Sequence, residues 1–127
     1  MNEIDKKSTE DAPSEITFAD LGLPEALVTH LASREITKPT PVQAKVIPLL
    51  APTPGTLSEG DLLAQARTGS GKTFAFLLPL AAAFDSGEVT RAWIICPTRE
   101  LAQQAAREAC WLLGDTAVAT LVGGSPF

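Results

Sequence analysis

Residues Ala66 to Thr73 read Ala-Arg-Thr-Gly-Ser-Gly-Lys-Thr, and their types and spacing suit the binding of phosphate. Gly69 and Gly71 let successive backbone N–H groups turn inward around oxygens that a side chain would obstruct. Lys72 supplies a point charge for the β- and γ-phosphates of a nucleotide, and the Thr73 hydroxyl is placed to ligate Mg²⁺ at the start of a helix. Arg67, Thr68 and Ser70 lie between these anchors in the same loop. The general pattern asks for glycine at position 66, where this chain has Ala66. Farther along, Pro97-Thr98-Arg99-Glu100 stands where an apolar run meets a helical pattern. Free N–H groups, the helix dipole and Arg99 can meet another phosphate there. Gly123-Gly124 offers bare backbone to a closely approaching polymer.

These residues need elements to hold them. The pattern from Leu21-Gly22-Leu23-Pro24 predicts a short helix with Leu27 and Leu31 on one face, stopping near Arg34. Thr40-Pro41-Val42-Gln43 predicts a second helix, to about Leu50, with Thr40 as N-cap, Pro41 at the first position and Gln43 completing a capping box. Ala51-Pro52-Thr53-Pro54-Gly55-Thr56 forbids regular structure and reads as an exposed, tolerated loop. Asp61 to Ala66 is expected to be a strand feeding the phosphate loop, and Lys72 to about Phe84 a helix that Pro79 kinks or ends. Arg91 to Cys96 is a nearly continuous apolar run, as in a parallel strand covered on both faces. Thr98 to Leu113 reads as a helix and Asp115 to Val122 as a strand. The alternation predicts an α/β doubly wound parallel sheet with right-handed crossovers, its ligands at the carboxyl ends of the strands.

Composition bounds the rest. The 127 residues, 45% of them apolar, allow at most one domain. Residues 1–16 are charged and polar and read as a flexible tail, with no apolar stretch of the kind a signal peptide needs. The longest apolar segment, Phe74 to Phe84, is well short of the ~20 residues that span a bilayer. A cytoplasmic chain is expected. Cys96 and Cys110 fit no metal spacing and read as reduced core residues. His30, the only histidine, is expected on an ordinary helix surface, and nothing pairs it with a nucleophile. The net charge of −5 argues against a broad basic surface for nucleic acid, so phosphate contacts must be local.

Four segments in fixed order resemble the start of a DEAD-box ATP-dependent RNA helicase. Lys38-Pro39-Thr40-Pro41-Val42-Gln43 is similar to the end of that family's Q motif, which would span 35–43, and residues 66–73 to its motif I. Residues 97–104, Pro-Thr-Arg-Glu-Leu-Ala-Gln-Gln, are similar to motif Ia, and Gly123-Gly124 to the GG motif. Alanine at the head of motif I is normal in the family. The resemblance implies an incomplete, truncated RecA-like first helicase domain over residues 17–127, of P-loop NTPase type. It implies ATP and Mg²⁺ as cofactors, with Phe18, Lys38, Gln43 and residues 66–73 holding the nucleotide. RNA would be the partner, its backbone held by Pro97, Thr98, Arg99, Glu100, Gly123 and Gly124.

The Gln43 amide presents one donor and one acceptor side by side, which matches the N6 and N7 edge of adenine. The competing role is the capping box, in which the side chain folds back to the Thr40 N–H and faces no ligand. Phe18 lies 25 residues before Gln43, where the family carries an aromatic that stacks on adenine. The alternative is a hydrophobic anchor. Glu35 and Ile36 depart from the glycine and aromatic that usually head the Q motif.

The sequence contains no Asp-Glu-Ala-Asp run, the motif with which the family organises Mg²⁺ and the attacking water. No catalytic residue is therefore assigned, and the chain is expected to be the N-terminal part of a helicase. Hydrolysis and unwinding would belong to a longer parent with its C-terminal helicase domain. A non-catalytic ATP- and RNA-binding module that competes with such a helicase is the other reading, and a small kinase would need a lid and acceptor site with no room in this sequence. The strands flanking the phosphate-loop strand would come from later sequence, leaving open apolar edges.

Overall fold

A computed structural model describes residues 16–124; the expected tail over 1–16 lies outside them except for Ile16. Thr17 opens the described chain with a reciprocal turn. Its N–H donates to the Asp20 carboxylate at 2.9 Å, while its hydroxyl accepts from the Asp20 N–H at 3.2 Å. The backbone bond, then the hydroxyl, hold the Asp20 carboxyl below its ordinary value.

Helix α1 (Glu25–Ala32) follows Pro24, which takes the N-cap position without a side-chain cap. It ends in a turn where the Glu35 N–H bonds to the Ala32 carbonyl at 2.9 Å and the Ile36 N–H to the Leu31 carbonyl at 3.0 Å. This pairing requires a left-handed residue, and Glu35 has a φ of 61°. Helix α2 (Pro41–Leu50) starts as the sequence predicts, with the capping box between Thr40 and Gln43 complete.

Helix α3 (Lys72–Asp85) does not stop at Pro79. A proline in a helix interior loses one backbone bond and clashes with the preceding turn at a cost of ~3 kcal/mol. Here it lies among Leu77, Leu78, Ala81, Ala82 and Ala83, all buried, and burying each leucine contributes about 1.5–3 kcal/mol in the opposite direction. Helix α4 (Arg99–Leu113) is capped by the Thr98 hydroxyl, which accepts the Leu101 N–H at 3.2 Å. It buries Ala105 and Ala109, whereas Leu101 stays exposed. Phe18, Leu23, Leu31, Ile47 and Leu78 form the core, with Trp111 and Leu112 packed against it.

The expected sheet does not assemble among the described residues. Residues 61–67, 91–96 and 118–122 carry no ladder, and the sole β-bridge is an isolated one between Thr53 and Thr56. Asp115–Ala117 is a 3-10 turn instead of the start of a strand. In doubly wound sheets spatial order departs from sequence order, so three consecutive strand-like segments need not be neighbours. Leu63 (96% exposed) and Ile95 (92% exposed) show how little covers these segments. On the helix side, a cleft of about 600 Å³ separates Leu77, Leu80 and Ala105 from Ile94, Val118 and Leu121.

The 51–60 loop is better anchored than its composition suggests. Ser86 Oγ donates to the Gly55 carbonyl at 2.6 Å, Gly55 is buried, and Pro54 abuts Gly22. No described helix is long and apolar enough to cross a membrane.

Candidate functional site

Helix α2 carries Gln43 to the phosphate loop. Its side chain is 3% exposed. The amide oxygen accepts the Thr40 N–H at 3.0 Å and the amide nitrogen donates to the Gly71 carbonyl at 3.0 Å. Each half of the amide thus has one partner and retains one further lone pair or N–H. Sequence reasoning set capping and ligand recognition against each other; the bond to Gly71 belongs to neither role and had no sequence signal.

Gly71 precedes α3 in the left-handed region, at φ 86°. A Cβ there would lie 2.5 Å from Gln43 Nε2 and 3.0 Å from Thr40 Oγ1, so only glycine lets the two motifs close on each other. Lys72 folds back over the loop, its Nζ donating to the Ala66 carbonyl at 3.0 Å. Arg67, Thr68 and Gly69 are exposed at the crest, and a Cβ on Gly69 would meet nothing within 4 Å. Ser70 Oγ is buried without a hydrogen-bond partner among the described residues. Thr73 is half-buried in the first turn of α3, and Lys38 is exposed.

Phe18 stands where the hydrophobic-anchor reading expects it. The ring is 1% exposed, in the core with Leu23, Leu31, Ile47 and Leu78. A lone aromatic in a polar segment gains most by full burial, and this one is packed into the core as an anchor for the chain.

Motif Ia and the glycine pair come together. Pro97, Thr98, Arg99 and Glu100 are all exposed. A Cβ on either Gly123 or Gly124 would lie 3.8 Å from the Arg99 Nη2, so one guanidinium spans both bare backbone positions. Glu100 lies in the first turn of α4, where a negative charge complements the helix dipole.

His30 is not an ordinary surface residue. Its Nε2 lies 2.8 Å from the Trp111 carbonyl, and its ring stacks on the indole at a centroid separation of 4.1 Å. The spacing of His30 and Arg34, one helical turn apart, was the available signal. Cys96 and Cys110 are free, as expected, but half-buried rather than core. Among the described residues no group of three or more His, Cys, Asp or Glu side chains gathers as a metal site.

The sequence profile of the DEAD/DEAH box helicase family matches residues 40–127. The chain belongs to that family. Within it, the chain is 50% identical over 90 residues to the RNA helicase CrhR of Synechocystis, covering 71% of this chain and 17% of that protein. It is 42% identical over 117 residues to the ATP-dependent RNA helicase DeaD of Haemophilus influenzae, covering 88% and 18%. Among solved structures, a DEAD box protein from the hyperthermophile Methanococcus jannaschii superposes with a TM-score of 0.68 at 35% identity. The match covers 87% of this chain and 30% of that one. The chain therefore has the P-loop NTPase fold of DEAD-box proteins and spans under a third of the relatives it matches.

Proposed function

We propose that this chain is the nucleotide-binding and RNA-contacting portion of an ATP-dependent RNA helicase. The observation that carries the reading is the bond from the Gln43 amide to the Gly71 carbonyl, which seats an adenine-matching side chain against a phosphate loop. The unpartnered Ser70 hydroxyl and the open space beside Gly69, where a Cβ would meet nothing within 4 Å, suit a bound polyanion. Residues 66–73 would hold the phosphates, with Lys72 released from Ala66 to meet them and Thr73 giving Mg²⁺ one oxygen. Mg²⁺, when bound, would neutralise part of the charge of the nucleotide's phosphates. Lys38, on the exposed approach to α2, would add a cation near the nucleotide.

Arg99, with the N–H groups at Pro97 to Glu100, would hold an RNA phosphate beside Gly123 and Gly124. Hydrolysis and strand separation would belong to the longer helicase, completed by a sheet of RecA type, an Asp-Glu-Ala-Asp segment and a C-terminal helicase domain. A cytoplasmic location goes with this role.

Titration of the 127-residue chain with a fluorescent ATP analogue and Mg²⁺ tests the reading. Saturable binding is expected, weakened about tenfold or more by Lys72→Ala, since a charge-assisted phosphate contact is worth ~1.5–3 kcal/mol. Gln43→Glu keeps the acceptor that the capping box needs but removes the amide donors, so preference for ATP over GTP should vanish while α2 stays folded. No saturable binding would overturn the nucleotide assignment. RNA-stimulated phosphate release that disappears with Lys72→Ala would overturn the non-catalytic status of this chain.

A further inference from the structure

Trp111 is held by two side chains, one from the last turn of α1 and one from the turn just after it. The His30 ring stacks on it with a 20° interplanar angle, and the Arg34 guanidinium lies 4.2 Å from the indole centroid. Arg34 Nη1 also donates to Glu108 Oε2 at 2.9 Å. The Trp111 carbonyl is among the last four of α4, which lack donors within their own helix, and the His30 Nε2 at 2.8 Å supplies one from another element. The left-handed turn at Glu35 fixes the chain direction just after Arg34.

Helix α1 is itself tied to the nucleotide side. Leu31, fully buried, shares the core with Ile47 of α2 and Leu78 of α3. Arg99, at the opposite end of α4, lies roughly 18 Å from Trp111 at ~1.5 Å per residue. A helix gripped at one end transmits that orientation to the other.

We infer that His30 and Arg34 are positioning residues: by gripping Trp111 they set the direction of α4 and so hold Arg99 over Gly123 and Gly124 for an RNA phosphate. The exposed Arg34–Glu108 pair, at 43% and 28% side-chain exposure, adds little by itself. The stacking and the bond to the carbonyl carry the grip. The RNA part of this inference rests on the function proposed above, whereas the positioning part does not.

Hydrogen–deuterium exchange and binding to a single-stranded oligouridylate, both on the full chain, test the inference. In the His30→Ala/Arg34→Ala variant, exchange at 98–104 and 121–124 should accelerate while 41–50 stays unchanged. Oligouridylate affinity should fall roughly fivefold, as expected for losing one stacked cation and one hydrogen bond, with ATP-analogue affinity kept. His30→Gln/Arg34→Lys, which retains a donor and a cation, should recover most of both. Unchanged exchange at 98–104, or acceleration spread equally through α2 and α3, would overturn the positioning role. If the unaltered chain binds no oligouridylate, the RNA assignment fails while exchange still decides the grip.

Discussion

Glu35 shows how one residue type can disagree with its backbone. The turn after α1 needs a left-handed residue, and Glu35 adopts φ 61° with a Cβ that this region penalises. The sequence already departs from its family here, since glycine usually heads the Q motif. Glu35→Gly should therefore stabilise the chain by about 1 kcal/mol, read as a higher urea midpoint at unchanged slope. Gly71 is the reverse case, because both its φ and the nearness of Gln43 Nε2 exclude any side chain. Between them lies Gln43, whose amide joins the two motifs. Its capping role followed from Thr40 and the spacing alone; its bond to a carbonyl 28 positions away depended on helix packing that no local pattern encodes.

At the scale of elements, the helices were legible because their signals are local. Thr40, Pro41 and Thr98 fix two starts, and apolar periodicity fixes the face on which Leu31 is buried. Thr98→Ala should lower stability by about 1 kcal/mol through loss of the cap and speed exchange of the Leu101 amide, with α2 unaffected. The strands were legible only as apolar runs. A strand is stabilised by its neighbours across the sheet, so the apolar run from Arg91 to Cys96 does not by itself make a paired strand. Pro79 misleads for a related reason: its local cost is real, but the surrounding burial outweighs it. The nearness of Arg99 to Gly123 and Gly124 depends on how α4 packs and had no local signal, whereas the place of Phe18 in the core was one of two roles its isolated aromatic ring suggested.

For the whole molecule, a one-sided core is the dominant property. Helices pack around Phe18, Leu31 and Ile47, while Leu63, Trp93 and Ile95 remain at least four-fifths exposed on segments whose backbone carries no ladder. Such unpaired segments template association. Sedimentation of the 127-residue chain should show concentration-dependent self-association, reduced by Leu63→Lys/Ile95→Lys. A monomer at every concentration with sharp cooperative unfolding would contradict this.

The clip between Ser86 and Gly55 bears on a different quantity, the entropy of the chain itself. Pinning Gly55 divides the 51–60 connection into two shorter closures, and the cost of closing a loop grows only logarithmically with its length. The connection between α2 and the 66–73 loop can thus be long in sequence at little extra closure cost, while the pin at Gly55 adds a second closure that the Ser86 bond and the burial of Gly55 offset.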